Sequence, residues 1–253
     1  MNEKGGVTMK HLFLYLQGPL QSWGADSRFD FRQTLDFPTK SGIYGMLLAS
    51  SGDSGPQEQL LSRMADSPLT VVSFASPTGR LRDFHMVGNG YDEKDEWERL
   101  HIPKKRDGNR VSVNGGGNAS RVTYREYLQD RAFAAFLGLL DDLAEKFAVS
   151  LQTPVFDLYL GRKCCVPSAP VFRGLYGSEE AALEAMTAFL ADEAGIRGSE
   201  PLRPEWIFRE AADGSDPEAI LLNDVPVRFG INRLYRDRWV VREAFLAVSA
   251  PKE

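Results

Sequence analysis

Two glycine-containing segments near the start of the chain combine residue types that could hold nucleic acid. In Gly18–Gly24 (GPLQSWG), the glycines free the backbone to approach a ligand, and Trp23 offers a flat surface on which a base could stack. In Phe37–Gly42 (FPTKSG), Lys40 lies beside the predicted start of a helix, whose free N–H groups and dipole attract phosphate. A structural loop and a well-capped helix with a solvated lysine are the competing interpretations.

Two later segments carry charges that could act on a substrate or bind a phosphate. Alternation along a strand places Asp83 and His85 of Arg82–His85 on one face, where they could serve acid–base catalysis. No nucleophile motif accompanies them, so a structural hydrogen-bonded pair is the competing interpretation. Arg162 and Lys163 follow a glycine and could grip a phosphate backbone, although a surface turn would explain them equally well.

The composition excludes several classes of protein. With 253 residues and 43% hydrophobic content, the chain is long enough for one large domain or two small ones with a buried core. No apolar run approaches the ~20 residues of a membrane span, and residues 1–8 lack a secretory signal pattern. The two cysteines are adjacent and there are three histidines, which indicates a cytoplasmic protein without a disulfide framework, metal site or cofactor.

Charge is distributed unevenly along the sequence. The net charge is −5, but Leu175–Asp224 contains twelve acidic and three basic residues, so the remainder of the chain carries an excess of +4. Such segregation predicts a basic face toward nucleic acid and an acidic face, formed by this segment, turned away from it. Ordinary solvated surface is the alternative.

The periodicity predicts an α+β fold of ferredoxin type. Ser41 is the predicted N-cap of the first helix, which turns one apolar face to the core. We also expect a hairpin between the second and third strands. The predicted strands are Lys10–Leu16, Leu69–Ala75, Arg80–Val87, Val122–Gln129, Ala132–Leu139 and Arg238–Val248, and the later helices are Leu140–Leu151 and Ser178–Ala191.

Taken in order, these segments resemble the CRISPR-associated CasD family of the RAMP superfamily. The likeness extends from Met9 to about Gly174. It rests on the following motifs: Gly18–Gly24, Phe37–Gly42, Arg82–His85, Tyr124–Leu128 (YREYL) and Tyr159–Cys164 (YLGRKC). The resemblance implies a modified ferredoxin-like (RRM-like) core over 9–152, a β-hairpin thumb inserted at about 87–122, and extra C-terminal β-strands in an extension over 153–253. We expect residues 1–8 to be a disordered extension, with Met1 or Met9 as the natural start.

The family resemblance also implies a function. CasD-type proteins are non-catalytic subunits of the type I-E CRISPR Cascade complex that hold the 5′ handle of the guide RNA (crRNA). The implied partners are that RNA, a CasC-type backbone subunit, a CasA-type large subunit and, through the complex, target DNA in antiviral defence; no membrane is implied. The predicted RNA-binding residues are Trp23, Lys40, Ser41, Gly42, Tyr44, Arg82, Arg125, Arg162 and Lys163.

The type I-C members of this family imply a catalytic alternative for this chain. That alternative is a metal-independent endoribonuclease that processes precursor crRNA. Their pattern combines a tyrosine on the first helix with an adjacent Lys–His pair. Tyr44 matches the tyrosine, but the Lys10–His11 pair stands at the start of the first strand, and His101 with Lys104 is the residual candidate. The sequence therefore predicts a scaffold and leaves the nuclease open.

Overall fold

The chain forms a mixed α/β structure around one large, predominantly antiparallel sheet. The computed structural model describes residues 8–24, 30–87 and 121–246. The strands are β1 Met9–Gln21, β2 Trp23–Gly24, β3 Phe31–Arg32, β4 Thr34–Leu35, β5 Leu69–Phe74, β6 Arg80–Val87, β7 Arg121–Leu140, β8 Phe172–Tyr176, β9 Pro204–Ala211, β10 Ile220–Arg228 and β11 Leu234–Ala244. The helices are α1 Lys40–Ser51, α2 Glu58–Met64, α3 Asp141–Gln152 and α4 Glu179–Arg197. The sheet order is β10-β11-β9-β5-β7-β1-β8, and β3 and β6 also pair with β7.

The long strand β7 organises this sheet. Its second half pairs with β1 on one side and β5 on the other, and its first half pairs with β6 and β3. The sequence predicted two strands here; they are one strand of 20 residues, in which Asp130 adopts a left-handed φ of 47°. The predicted hairpin between β5 and β6 is wrong, because the two strands follow one another along the same edge of β7.

Alternating residues of β1 build a core on each face of the sheet. Leu12 and Leu14 pack with α1 and α3 on one face, and Phe13 and Tyr15 pack with α4 on the other. Two buried faces explain why the middle of β1 is apolar without interruption. The strand continues five residues beyond its predicted end, into the Gly18–Gly24 segment.

The N-cap of the first helix lies two residues earlier than predicted. Thr39, not Ser41, is the N-cap, and its hydroxyl accepts a hydrogen bond from the Gly42 amide. The predicted apolar face is confirmed, because its members are all buried: Ile43, Met46, Leu47 and Ser50. Helix α4 extends six residues past its expected end, and the last strand is Leu234–Ala244.

Two expectations fall largely on parts of the chain that the structure does not describe. The terminal extension over 1–8 and the inserted thumb at about 87–122 lie, except at their edges, outside the described residues. None of the described helices combines the length and the apolar character that a bilayer crossing requires.

Two glycines of α1 provide a matched test of this packing. A Cβ at Gly42 would lie 2.9 Å from the Trp23 ring and 3.0 Å from the Thr39 hydroxyl, whereas a Cβ at Gly45 meets nothing within 4 Å. We expect Gly42→Ala to lower the free energy of unfolding by about 1–3 kcal/mol through overpacking. Gly45→Ala should raise it by about 0.5–1 kcal/mol, since alanine favours the helix. Urea denaturation measures both; equal effects would contradict the described contact.

Candidate nucleic-acid interface

A groove of about 1060 Å³ opens where four parts of the chain meet. One wall is formed by the start of α1, the β2–β4 pair and the turn that carries Arg162, and the other by β10 and β11. About half of its lining is polar. The lining residues are Ser22, Trp23, Gly24, Arg32, Gln33, Leu35, Thr39, Ser41, Gly42, Gly161, Arg162, Leu221, Leu222, Asn223, Asp224, Phe229, Arg233 and Tyr235. The structure thus brings together Trp23, Ser41, Gly42 and Arg162 of the predicted set.

Arginines supply the positive charge of this groove. Arg32, Arg162 and Arg233 lie in its lining, and Arg125 stands directly beside Arg32 in the parallel β3–β7 register. Their charges are far apart in sequence, but the fold collects them along one surface. A row of guanidinium groups suits bidentate contacts to successive phosphates of a single strand.

The side chain of Arg162 is held in one orientation by backbone groups. Its Nη1 donates to the Glu126 carbonyl at 3.2 Å and its Nη2 to the Arg32 carbonyl at 2.9 Å. The guanidinium also lies over the Tyr127 ring, 4.8 Å from its centroid. Because neutral acceptors hold it, Arg162 keeps its full positive charge for a ligand, and little rotamer entropy remains to be lost on binding.

The turn that carries Arg162 depends on a glycine. Gly161 has a φ of 94°, and a Cβ there would lie 1.8 Å from the Ser22 carbonyl oxygen, so only glycine allows this approach. The Ser22 amide donates to the Leu160 carbonyl at 3.1 Å and fixes the turn against the end of β1. Lys163 follows in this turn as an exposed residue, outside the groove lining.

The expected stacking role of Trp23 is wrong. Its ring is fully buried, its Nε1 donates to Gln21 Oε1 at 3.0 Å, and its amide donates to the Thr34 hydroxyl at 2.8 Å. One edge of the ring packs against Gly42. An indole enclosed in this way supports the groove floor and offers no free face to a base.

The expected phosphate contact of Lys40 is also wrong. The side chain is buried, and its Nζ donates to Glu210 at 2.9 Å and to the Ala65 carbonyl at 3.3 Å. Its backbone amide donates to an Asp224 carboxylate oxygen at 2.7 Å. The positive end of α1 therefore already has an anion, supplied by the protein itself. Burial lowers the pKa of Lys40, and Glu210 opposes that effect.

Lys40 belongs to a buried cluster of four charges. Arg238 makes a bidentate contact with Asp224, at 2.6 and 2.9 Å, and a third hydrogen bond to Glu210 at 3.0 Å. Burial would lower the pKa of Arg238, but the two carboxylates outweigh it and raise that pKa. The expectation that the acidic segment turns away from the groove is wrong for Glu210 and Asp224, which lie beneath and beside it.

Tyr44 and Arg82 lie away from the groove. Tyr44 is fully buried and its hydroxyl donates to the Met64 carbonyl; burial raises its pKa. Its predicted contact with RNA is therefore wrong. Arg82 is exposed, but it pairs with Glu126 at 3.1 Å on the face of β6 and β7 opposite to Tyr127 and Arg162. Lys10 of the Lys–His pair forms an ion pair with Glu145 at 2.7 Å.

Comparisons with known proteins agree with this architecture. The family model described as "CRISPR-associated protein (Cas_Cas5)" matches residues 11–244. The chain belongs to the Cas5 family of CRISPR-associated proteins. It is 28% identical over 176 residues, 65% of this chain and 70% of the relative, to the "CRISPR system Cascade subunit CasD" of Escherichia coli (strain K12).

Two solved structures resemble this Cas5-family chain along most of its length. A chain of a "CRISPR RNA-guided surveillance complex" matches with a TM-score of 0.64 and 26% identity, over 92% of this chain and 89% of the other. A structure described as "Crystal structure of Cas protein" matches with a TM-score of 0.56 and 29% identity, over 92% and 94%. The resemblance seen in the sequence motifs is thereby confirmed at the level of the family.

Sequence reasoning missed several lining residues. Arg32 stands in no motif and no periodic element, so nothing marked it. Arg233 belongs to a C-terminal stretch that is rich in arginine, although no motif singles it out. Asn223 and Tyr235 come from strands whose pairing could not be derived locally.

Removing Asp224 tests whether the buried cluster holds the two walls together. Asp224→Ala leaves Arg238 buried without its bidentate partner, and we expect it to lower the free energy of unfolding by about 3–5 kcal/mol. The control is Asp66→Ala, which removes the exposed ion pair with Arg236 and should change stability little. Urea titration measures both, and similar small losses for the two variants would contradict a structural role for the cluster.

Proposed function

We propose that this Cas5-family chain is a non-catalytic RNA-binding subunit of a type I-E Cascade complex, which holds the 5′ handle of crRNA in the arginine-lined groove. Two of its relatives are named as a Cascade subunit and as part of an RNA-guided surveillance complex. The single observation that carries the proposal is the convergence of Arg32, Arg162 and Arg233 on one groove.

The local charge of the groove supports RNA as the ligand, although the protein is acidic as a whole. Among the described residues of the lining, Asp224 is the one carboxylate, and Arg238 neutralises it through a bidentate contact. The three lining arginines therefore dominate the field. The acidic residues of α4 lie on the other face of the sheet, where they do not oppose a polyanion.

The polar lining suits single-stranded RNA. Cations along the backbone and side chains that contact splayed base edges are the usual means of holding such a strand. Asn223, Gln33 and Tyr235 offer hydrogen-bonding groups beside the arginines. Because base pairing reads the target sequence, the subunit needs no helix that enters a DNA groove.

The proposal includes a modified ferredoxin-like, RRM-like core over 9–152. Strands β5, β7, β1 and β8 are adjacent in that order, and α1 and α3 cover one face, which supports a βαββαβ arrangement, although its fourth strand, β8, lies beyond residue 152. The segment 153–253 then extends the same sheet through β9, β11 and β10. The thumb within about 87–122 and the extension over 1–8 remain predictions.

A metal-independent endoribonuclease is the alternative function. The observations on the described residues favour the scaffold, because Tyr44 is enclosed in the core and Lys10 is paired with Glu145. Tyr44 cannot reach a ribose 2′-OH without unfolding its surroundings. His101 and Lys104 lie outside the described residues.

We further propose the assembly and location that the family resemblance implied. The partners are crRNA, a CasC-type backbone subunit, a CasA-type large subunit and, indirectly, target DNA. We expect a cytoplasmic protein without cofactor, metal or membrane attachment.

Neutralising one groove arginine tests RNA binding. Arg32→Ala removes an exposed lining guanidinium, and we expect RNA carrying the 5′ handle to bind about tenfold more weakly at about 0.1 M salt. The salt dependence, log K against log[salt], should flatten by about 0.7 for one lost phosphate contact on a single strand. Fluorescence anisotropy with end-labelled RNA measures both. Arg203→Ala, which removes another exposed arginine next to Glu200, is the control and should bind as the parent does.

The same RNA separates the scaffold from the nuclease. Incubated in EDTA with labelled precursor crRNA, the protein should protect the handle without cutting it. Cleavage within the repeat would replace the proposed function with the endoribonuclease, and unchanged binding by Arg32→Ala would remove this groove as the site.

A further inference from the structure

Three aromatic side chains form a row across the ribbon of β3, β7 and β6. Phe31 stacks on Tyr124, with 5.1 Å between ring centroids and 16° between planes. Phe84 meets Tyr124 edge-on from the other side, at 5.7 Å. Phe31 and Phe84 are 50% and 57% exposed, so the ends of this row face solvent. We call these three residues the aromatic row.

The aromatic row and the groove lie on opposite faces of this ribbon, and the edge of β3 separates them. Tyr124 and Phe84 are direct partners in the β6–β7 register, and they project on the face that also carries Arg82 and Glu126. The groove side chains lie on the opposite face. Phe31 and Arg32 are neighbours in β3, so one residue contributes to the row and the next lines the groove. A bound strand that leaves the groove at Arg32 would reach the aromatic row by crossing the edge of β3.

The size of the apolar surface distinguishes between a base and a protein partner. Among the described residues of the ribbon, the large exposed apolar side chains on this face are Phe31 and Phe84, with Tyr124 between them. A stable protein interface covers ~800 Å² on each partner around an apolar centre, which is far more than three rings provide. One or two flat nucleobases match the row, since they stack on exposed aromatic rings.

The charges beside the row leave one guanidinium accessible to a ligand. Arg80 and Arg82 share the carboxylate of Glu126, at 3.4 and 3.1 Å, and Asp36 makes a second contact with Arg80. The Arg82 side chain is still 62% exposed. A phosphate next to a stacked base could therefore contact Arg82 without removing a buried ion pair.

We propose that the aromatic row is a second binding site on this chain, which stacks unpaired bases of the single-stranded RNA whose backbone lies in the groove. This rests on the proposed function, because the groove delivers the strand to the edge of β3. The proposal also places Arg82, which the sequence predicts to bind RNA, on an RNA-binding surface beside the aromatic row. The ligand is defined by its flat bases and not by their sequence.

Substitution of a residue in the aromatic row tests the proposal. Its expected effect on the salt slope of RNA binding differs from that of substituting a groove arginine. Phe84→Ala should weaken binding of handle RNA about tenfold, because stacking on an aromatic side chain is lost. The salt slope should stay unchanged, since no phosphate contact is removed. Phe84→Tyr should bind as the parent does. The control is Phe156→Ala, which removes an equally exposed phenylalanine (52%) outside the ribbon.

A scan of abasic positions through the RNA identifies the stacked base. At that position, the parent protein should bind the abasic RNA about tenfold more weakly than the intact RNA. The Phe84→Ala variant should bind the two RNAs equally. Circular dichroism and urea titration of each variant check that the fold is retained. If no abasic position removes the difference between the parent and Phe84→Ala, the ring acts through structure and the proposal is overturned.

The outcomes separate this site from the groove. If Phe84→Ala binds normally while Arg32→Ala binds weakly, the aromatic row is not an RNA site and the proposed function stands. If both bind normally, both proposals fail. If Phe84→Ala binds RNA normally but no longer assembles with purified CasC-type subunit, the row contacts protein, and the base-stacking proposal is again overturned.

Discussion

The position of the groove depends on the buried cluster of Lys40, Glu210, Asp224 and Arg238. Its members come from the start of α1 and from all three C-terminal strands, and the Lys40 contacts span 170 and 184 residues of sequence. Desolvating four charges offsets much of their attraction, so such a cluster contributes little net stability. Its directional hydrogen bonds instead fix where β9–β11 stand relative to α1, and that distance sets the width of the groove.

This cluster also determines which charges are left for a ligand. Asp224 occupies the positive N-terminal end of α1, so a phosphate cannot bind there. Its negative charge is neutralised by Arg238, so it does not repel an anionic ligand in the groove. Arg162 is held by two carbonyls and the Tyr127 ring, and it keeps its charge. An acidic protein thus presents a positive groove, because Asp224, the described carboxylate in its lining, is paired with Arg238, and the acidic residues of α4 lie on the far face of the sheet.

Local patterns predicted the elements well and their partners poorly. The apolar face of α1 and the bounds Arg80–Val87 follow from spacing within a few residues. The predicted hairpin is wrong because β5 and β6 both pair with β7, which contains the left-handed residue Asp130 and which the sequence pattern divided into two strands. Trp23 and Lys40 have side chains suited to bases and phosphates, but partners remote in sequence bury Lys40, and packing against α1 encloses Trp23. Residue type indicates what a side chain could bind, whereas long-range pairing decides whether it is free to do so.

Photo-cross-linking in the assembled complex tests the central claim most directly. Guide RNA with 4-thiouridine placed through the handle would be irradiated, and the linked peptides identified by mass spectrometry. We predict cross-links to both walls of the groove, in peptides that contain Arg32, Arg162 and Tyr235. Cross-links confined to α4 and the surface around it would contradict the account, since the RNA would then lie on the acidic face of the sheet.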